Sequence, residues 1–296
     1  MRPLAFAFVA LLAVLPLAGC ASMFGGGEST ATIDNPDPPD VMFANADALL
    51  NAGSYEEAAK KFEDVERFYP FSNDPSKPYA RKALALAAYA YYKATDYDNA
   101  IAAGRRYTTM HAGTEDAALA HHVVAMSYFD QMQDPARDQT NTRRAMEEFR
   151  TLLRLYPTSA YSQQDANRLR ICEDSIAASE MSIGRYYQKK RNFIAAINRF
   201  KTVVTEYQRT AQVEEALFRL TESYLALGIE PEAQSAAAIL GHNFPNSHWY
   251  KDAYALLKGG GLSPESKPGS AIAEAWSTAV ASVSGLNPFG SSTSAE

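Results

Sequence analysis

The stretch YEEAAKKFEDVERFYP, residues 55–70, sets a small residue at Ala58, a large one four places on at Phe62, an apolar one at Val65 and a proline at Pro70. Side chains three or four residues apart share one face of a helix, so Ala58, Phe62 and Val65 form a single packing stripe. The proline then stops the helix. The arrangement returns, with drift, in YDNAIAAGRRYTTMHA (97–112), TRRAMEEFRTLLRLYP (142–157), FIAAINRFKTVVTEYQ (193–208) and EPEAQSAAAILGHNFP (230–245). The anchor alanines are Ala58, Ala100, Ala145, Ala196 and Ala233, and their companions are Phe62, Gly104, Phe149, Phe200 and Ala237.

A second series precedes each of these. Leu49, Tyr91, Tyr128, Tyr187 and Tyr224 hold a bulky packing position, and three places earlier stand the small residues Ala46, Ala88, Ala125, Gly184 and Thr221. Small side chains let paired helices approach while the bulky residue fills the gap between neighbours. Paired helices repeated in this way form the tetratricopeptide pattern, and five copies exceed the three or so a stacked array needs. The predicted fold is therefore all-α: a tetratricopeptide-repeat solenoid of about five helix pairs. Few Val/Ile/Thr alternations occur, so almost no sheet is expected.

The departures from regularity are informative. The anchor alanines lie 42, 45, 51 and 37 residues apart, against about 34 in the regular repeat. FSNDPSKP (71–78) and QMQDPARDQTNT (131–142) read as inserted loops. Residues 160–191 lack proline and contain only Gly184, so one helix of about 30 residues is expected, roughly 45 Å long. Such a helix would brace repeats 1–3 (40–159) against repeats 4–5 (160–258). Asp40 is the predicted N-cap of the first helix and Gly53 a C-terminal cap.

Outside the repeats the chain begins with Met1-Arg2-Pro3 and an apolar run from Leu4 to Gly19, 16 residues. That is short of a membrane span and has the character of a secretory signal peptide, residues 1–19. Leu17-Ala18-Gly19-Cys20 resembles the bacterial lipobox, which implies cleavage before Cys20, acylation of its thiol by fatty acids such as palmitate, and a lipid anchor in the membrane. Each buried methylene adds about 0.8 kcal/mol, so several chains hold almost permanently. Ala21 follows in place of aspartate, which favours the outer membrane. Residues 20–39 are Gly/Ser/Pro-rich and read as a flexible tether. The other cysteine, Cys172, then lacks a partner and reads as a small core residue. Gly259-Gly260-Gly261 closes the folded part, and the Gly/Ser/Ala-rich tail 259–296 is expected to be disordered, with AIAEAWSTAVASV (271–283) as a weak docking helix in the minority reading.

A formal charge of −6 argues against a nucleic-acid partner. No G-x-S-x-G, H-E-x-x-H, phosphate loop or C-x-x-C is present, so neither catalytic residues nor a cofactor is expected. His121 and His122 are adjacent and diverge on a helix, so no metal site is expected from them. The chain carries 17 tyrosines and 14 phenylalanines, and the first helices offer a face for them. Phe43, Asp47 and Leu50, then Ala85, Tyr89 and Tyr92, then His122, Met126 and Phe129, together with Tyr69 and Phe71, mark a groove suited to an extended peptide with aromatic side chains. Several of these aromatics would equally pack under loops.

RFYPFS (67–72), AYAYYK (88–93), RDQT (137–140) and LYPTSAY (155–161), joined to a lipobox, tether and five irregular repeats, make the chain resemble the BamD family, the lipoproteins of the β-barrel assembly machinery. The resemblance spans about residues 15–258. It implies an outer-membrane lipoprotein facing the periplasm, whose amino-terminal repeats bind the carboxy-terminal targeting signals of unfolded outer-membrane proteins, segments that end in an aromatic residue. It further implies docking of the carboxy-terminal repeats on the periplasmic domains of BamA, with other assembly lipoproteins nearby. Arg199 falls where the family has a docking arginine, and Arg185 and Lys189 would extend that basic patch. A lipoprotein pilotin and a Tol–Pal or cell-wall coordinator are the alternative readings, with a peptidoglycan-processing enzyme a remote third.

Overall fold

The computed structural model describes residues 36–70 and 79–285. The signal peptide, Cys20, most of the tether, Phe71 with the rest of the 71–78 insertion, and residues 286–296 lie outside the described residues. The chain falls into two units, Met1–Asp37 and Pro38–Glu296, and all the helices below belong to the second.

Among the described residues there are twelve helices and no strand. Five consecutive pairs come first: α1 (Pro39–Asn51) with α2 (Tyr55–Phe68), α3 (Tyr79–Lys93) with α4 (Tyr97–Met110), and α5 (Ala117–Phe129) with α6 (Thr140–Leu155). The series continues with α7 (Ser162–Lys189) and α8 (Phe193–Glu206), then α9 (Val213–Ala226) and α10 (Glu230–Asn243). Two further helices follow, α11 (His248–Gly259) and α12 (Ala271–Gly285). Every helix from α1 to α10 packs on the next, as a tetratricopeptide-like solenoid requires.

The packing follows the repeat positions. Ala58, Ala100, Ala145, Ala196 and Ala233 are all fully buried, as are Phe62, Phe149, Phe200 and Ala237. So are Ala46, Ala88, Ala125 and Thr221, one place in each first helix. In the fourth pair that place is Gly184, and a β-carbon there would stand 2.4 Å from Phe200 Cε1. Gly104 meets Val124 Cγ2 at 2.5 Å in the same sense. The small positions thus exist because ring or branched side chains from the facing helix already occupy the space.

The turns within pairs share one geometry. Gly53, Thr95, Arg191 and Gly228 each take a left-handed conformation, with φ of 80°, 61°, 58° and 71°. The next residue in each case donates its N–H back to the carbonyl of Leu49, Tyr91, Tyr187 or Tyr224. These acceptors are the bulky packing positions, so one residue fixes both the inter-helix gap and the turn that follows. In the third pair a loop over 130–139 replaces this turn, and the last three residues of the expected 131–142 insertion begin α6. Asp96 and Asn192 then cap α4 and α8, accepting from the backbone N–H of Asn99 and Ala195. Asp40 does not cap α1: the helix starts at Pro39 after Pro38, because proline suits a first position that needs no N–H, and Asp40 lies in the first turn.

Helix α7 runs unbroken for 28 residues, as the absence of breakers predicts. The core nevertheless does not divide there. One apolar cluster joins α1 to α4 with the start of α5, and the other runs from the rest of α5 through α10 to Leu257 and Ile272. α5 buries residues on two sides, from Ala117 and Ala120 to Val124 and Tyr128, so it serves both clusters. Cys172, Ile176 and Met181 of α7 belong wholly to the second cluster.

The tail also differs from expectation. Residues 271–285 form α12, which packs on α8 and α10 with Ile272 fully buried. Its apolar residues Ile272, Trp276 and Ala279 recur every three or four places and bury together, which a Ser/Ala-rich composition masks.

Candidate functional site

The face built by the first helices α1, α3, α5 and α7 is the place to look for a ligand, because the second helices cover their other side. Phe43 of α1 sits edge-on to Phe62, ring centres 5.4 Å apart, and 5.7 Å from Tyr79. Leu50 is half-buried against the same cluster. From α3 come Tyr89, half-buried, and Tyr92, which touches both core clusters. The Tyr92 hydroxyl donates to Asp130 Oδ2 at 2.8 Å, and burial together with that carboxylate holds its phenol well above the usual range. Phe129 packs edge-on to Phe149 at 5.9 Å.

Three expected groove residues lie elsewhere. Met126 is only 7% exposed and belongs to the core, as does Ala85 at 1%. Tyr69 ends α2, a second helix, and so does not sit among the first-helix residues. The physical reason is the same for Met126 and Ala85: α3 and α5 pack on more neighbours than a two-sided repeat helix does, leaving fewer positions for a ligand.

In their place the fold assembles a polar group that spacing alone does not reveal. Asp165 of α7 is fully buried. One of its oxygens accepts from Arg168 Nη1 at 2.8 Å, and the other meets His122 Nδ1 of α5 at 2.8 Å. A buried carboxylate is costly unless paired and hydrogen-bonded, and here both oxygens are engaged. The His122 ring stacks on Tyr161, centres 4.4 Å apart and planes 19° from parallel. Burial first, then the neighbouring Tyr89, Asp116 and Asp165, raise the Tyr161 phenol. The first two turns of α7 thus bring Asp165 and Arg168 beside His122 of α5, and fix the imidazole by a partner 43 residues away. A half-buried row of rings with a fixed imidazole and a guanidinium 26% exposed can stack on aromatic side chains and hydrogen-bond a peptide backbone or carboxylate. His121 instead pairs with Glu148 Oε2 of α6 at 3.1 Å, so the adjacent histidines serve different helices. Among the described residues no group of three or more His, Cys, Asp or Glu is placed to hold a metal ion.

The basic residues expected to dock a partner occupy the carboxy-terminal half. Arg199 of α8 donates to Glu180 Oε2 at 3.0 Å, and Arg143 of α6 reaches Oε1 of the same carboxylate at 3.3 Å. Glu180 is nearly buried while both guanidinium groups stay about half exposed. One acid therefore poses two arginines, leaving an excess positive charge at the surface. Arg185 pairs separately with Glu215 at 3.0 Å, and Lys189 is exposed in the last turn of α7. Arg143 was legible only as a helix-surface cation. Cys172 is fully buried, and burial pushes its thiol up to about 12, so it offers no nucleophile.

Comparison with known proteins agrees with this architecture. Residues 35–240 match the family model described as outer membrane lipoprotein (YfiO). The chain is 35% identical over 267 residues to the outer membrane protein assembly factor BamD of Caulobacter vibrioides, covering 90% of this chain and 85% of the relative. It is 33% identical to the protein of that name from Rickettsia prowazekii, over 84% of this chain and 95% of the relative. The Neisseria gonorrhoeae protein of the same name is 30% identical, over 81% and 91%.

Proposed function

The chain belongs to the BamD family of outer-membrane assembly lipoproteins, and we propose that it carries unfolded outer-membrane proteins to the barrel-forming BamA subunit. It is an outer membrane protein assembly factor by this kinship, which supports reading its work as binding rather than chemistry. Lipidation at Cys20 would hold it at the outer membrane facing the periplasm. The relatives' shared description as assembly factors weighs against the pilotin and cell-wall readings.

The observation that carries the reading is the first-helix face. Tyr89, Tyr92, Tyr161 and Phe129 offer rings, and the His122–Asp165–Arg168 group offers fixed donors beside them. A targeting signal that ends in an aromatic residue matches both: the ring stacks and the terminal carboxylate meets the guanidinium. The Arg143–Glu180–Arg199 group, with Arg185 and Lys189 nearby in the chain, is the proposed docking patch for an acidic surface of BamA's periplasmic domains. Other assembly lipoproteins would join the same complex. Handover then follows if BamA binding and signal binding favour different arrangements of the repeats.

Affinity capture from detergent-solubilised envelope tests this. The full chain is expected to recover BamA, and Arg199→Ala with Arg143→Ala to recover at least several-fold less. Equal recovery by both, or none by the wild type, would overturn the docking assignment.

A further inference from the structure

The second-helix side of the carboxy-terminal repeats carries a different binding surface. α10 presents Glu232, Gln234 and Ser235, of which Gln234 is 7% exposed and Ser235 fully buried. Each meets the backbone of the tail. Gln234 Nε2 donates to the Ser263 carbonyl at 2.9 Å, and the Gln234 carbonyl accepts from Glu265 N at 3.3 Å. Ser235 Oγ accepts from Lys267 N at 3.0 Å. The Glu232 carboxylate accepts from Ser270 Oγ and Ala271 N at 2.8 Å, and from Ile272 N at 3.1 Å. A carboxylate from a distant helix thus does what an N-cap normally does, at the positive end of α12. Beyond it Ile272 is fully buried, Trp276 packs on the same core, and Ala279 is 7% exposed, while Glu274, Ser277 and Thr278 face solvent.

Extended backbone read by side chains, then a capped helix with anchors at i, i+4 and i+7, is how a groove receives an amphipathic helix. The matched family region ends at residue 240, so the groove of α8 and α10 lies in the shared repeats and its occupant beyond them. We propose that this groove is a helix receptor occupied in cis by residues 262–282, and that the segment exchanges with the same segment supplied in trans. The anchors are few, Leu262, Ile272 and Trp276 among Ala and Ser, which keeps intrinsic affinity modest. The short Gly260-Gly261 connection compensates. An effective concentration in the millimolar range holds even an affinity of about 100 μM closed roughly ten to one. The same segment arriving from a second copy therefore binds the filled groove about ten-fold more weakly than an emptied one. The surface lies on second helices, apart from the first-helix face, so it stands or falls independently of the signal-binding reading.

The test uses the purified full chain and a fluorescein-labelled peptide of residues 262–282, followed by anisotropy. Wild type, whose groove is filled, is expected to bind the peptide at least about five-fold more weakly than Ile272→Asp/Trp276→Asp, whose own tail is released. Adding Glu232→Ala to that variant is expected to abolish binding. Ala275→Pro breaks the helix within the tail alone and leaves every receptor residue intact, so it gives the same answer if the double variant folds poorly. Equal peptide affinity for wild type and Ala275→Pro, with unchanged helical content in the repeats, would overturn the proposal, as would undiminished binding after Glu232→Ala.

Discussion

Replacing Gly184 by alanine separates two opposing effects of known sign. In the middle of a helix, alanine is favoured over glycine by about 1 kcal/mol. Helix propensity alone therefore predicts a more stable protein. The structure predicts the opposite. The new methyl would stand 2.4, 2.8 and 2.9 Å from Phe200 Cε1, Cδ1 and Cζ, where carbon atoms rest at about 3.5–4.0 Å. α7 and α8 must part by about 1 Å, or the fully buried Phe200 must leave its rotamer. Overpacking of this kind costs about 1–3 kcal/mol and, because Phe200 is fixed on every side, the upper part of that range applies. Net of propensity, about 1–2 kcal/mol of destabilisation is expected, or roughly 2–8 °C in midpoint for a domain of this size. Thermal and urea unfolding followed by circular dichroism at 222 nm would measure it. Phe200→Leu in the Gly184→Ala background should recover part of the loss, with a coupling of about 1 kcal/mol between the two sites. A variant as stable as wild type, or more so, would refute the claim that close approach dictates the small positions.

Two other outcomes follow from the same structure. Thr95 holds a left-handed φ of 61° where the first and fifth pairs use glycine; relief of about 1–2 kcal/mol of αL strain, less about 0.4–1 for glycine's freer unfolded chain, should make Thr95→Gly slightly more stable in the same unfolding assay. The Cys172 thiol, raised by burial to about 12 from 9.0, should resist iodoacetamide at pH 8 and react once unfolded. Because the folded thiol ionises at higher pH than the unfolded one, its contribution is complete below pH 9 and is lost as pH rises through about 12. Alkylation read by mass spectrometry, and unfolding midpoints of wild type and Cys172→Ala between pH 8 and 11, would check both.

The repeat positions were legible because each needs a residue of a given size at a given spacing, and size survives drift. Ala58 and Phe62 recur as Ala196 and Phe200 with the same burial. The turn geometry was half legible: Gly53 and Gly228 announce a left-handed residue, while Thr95 and Arg191 adopt it because the packed helices on either side leave no alternative. Asp40 failed as a cap since Pro38 and Pro39 already supply the backbone angle. The tail failed on composition, because two large anchors and a carboxylate from α10 stabilise a helix that alanine and serine would not fold alone. On the candidate face, Tyr89, Tyr92 and Phe129 could be read from the helical period, and Met126 could not be excluded by it. His122 with Asp165 needed the fold itself, since 43 residues separate the partners and only the packing of the first turn of α7 against α5 brings them together.

The proposed function rests on the first-helix face receiving a peptide that ends in an aromatic residue. The most direct measurement is binding of a labelled peptide of that kind, with and without its terminal carboxylate, to the full chain and to Tyr92→Ala and Arg168→Ala variants. The wild type is expected to bind the free-carboxylate peptide best, amidation of the peptide and Arg168→Ala to weaken binding to a similar extent and not additively, and Tyr92→Ala to weaken both peptides alike. Binding that is indifferent to the terminal aromatic residue, or unchanged in both variants, would contradict it.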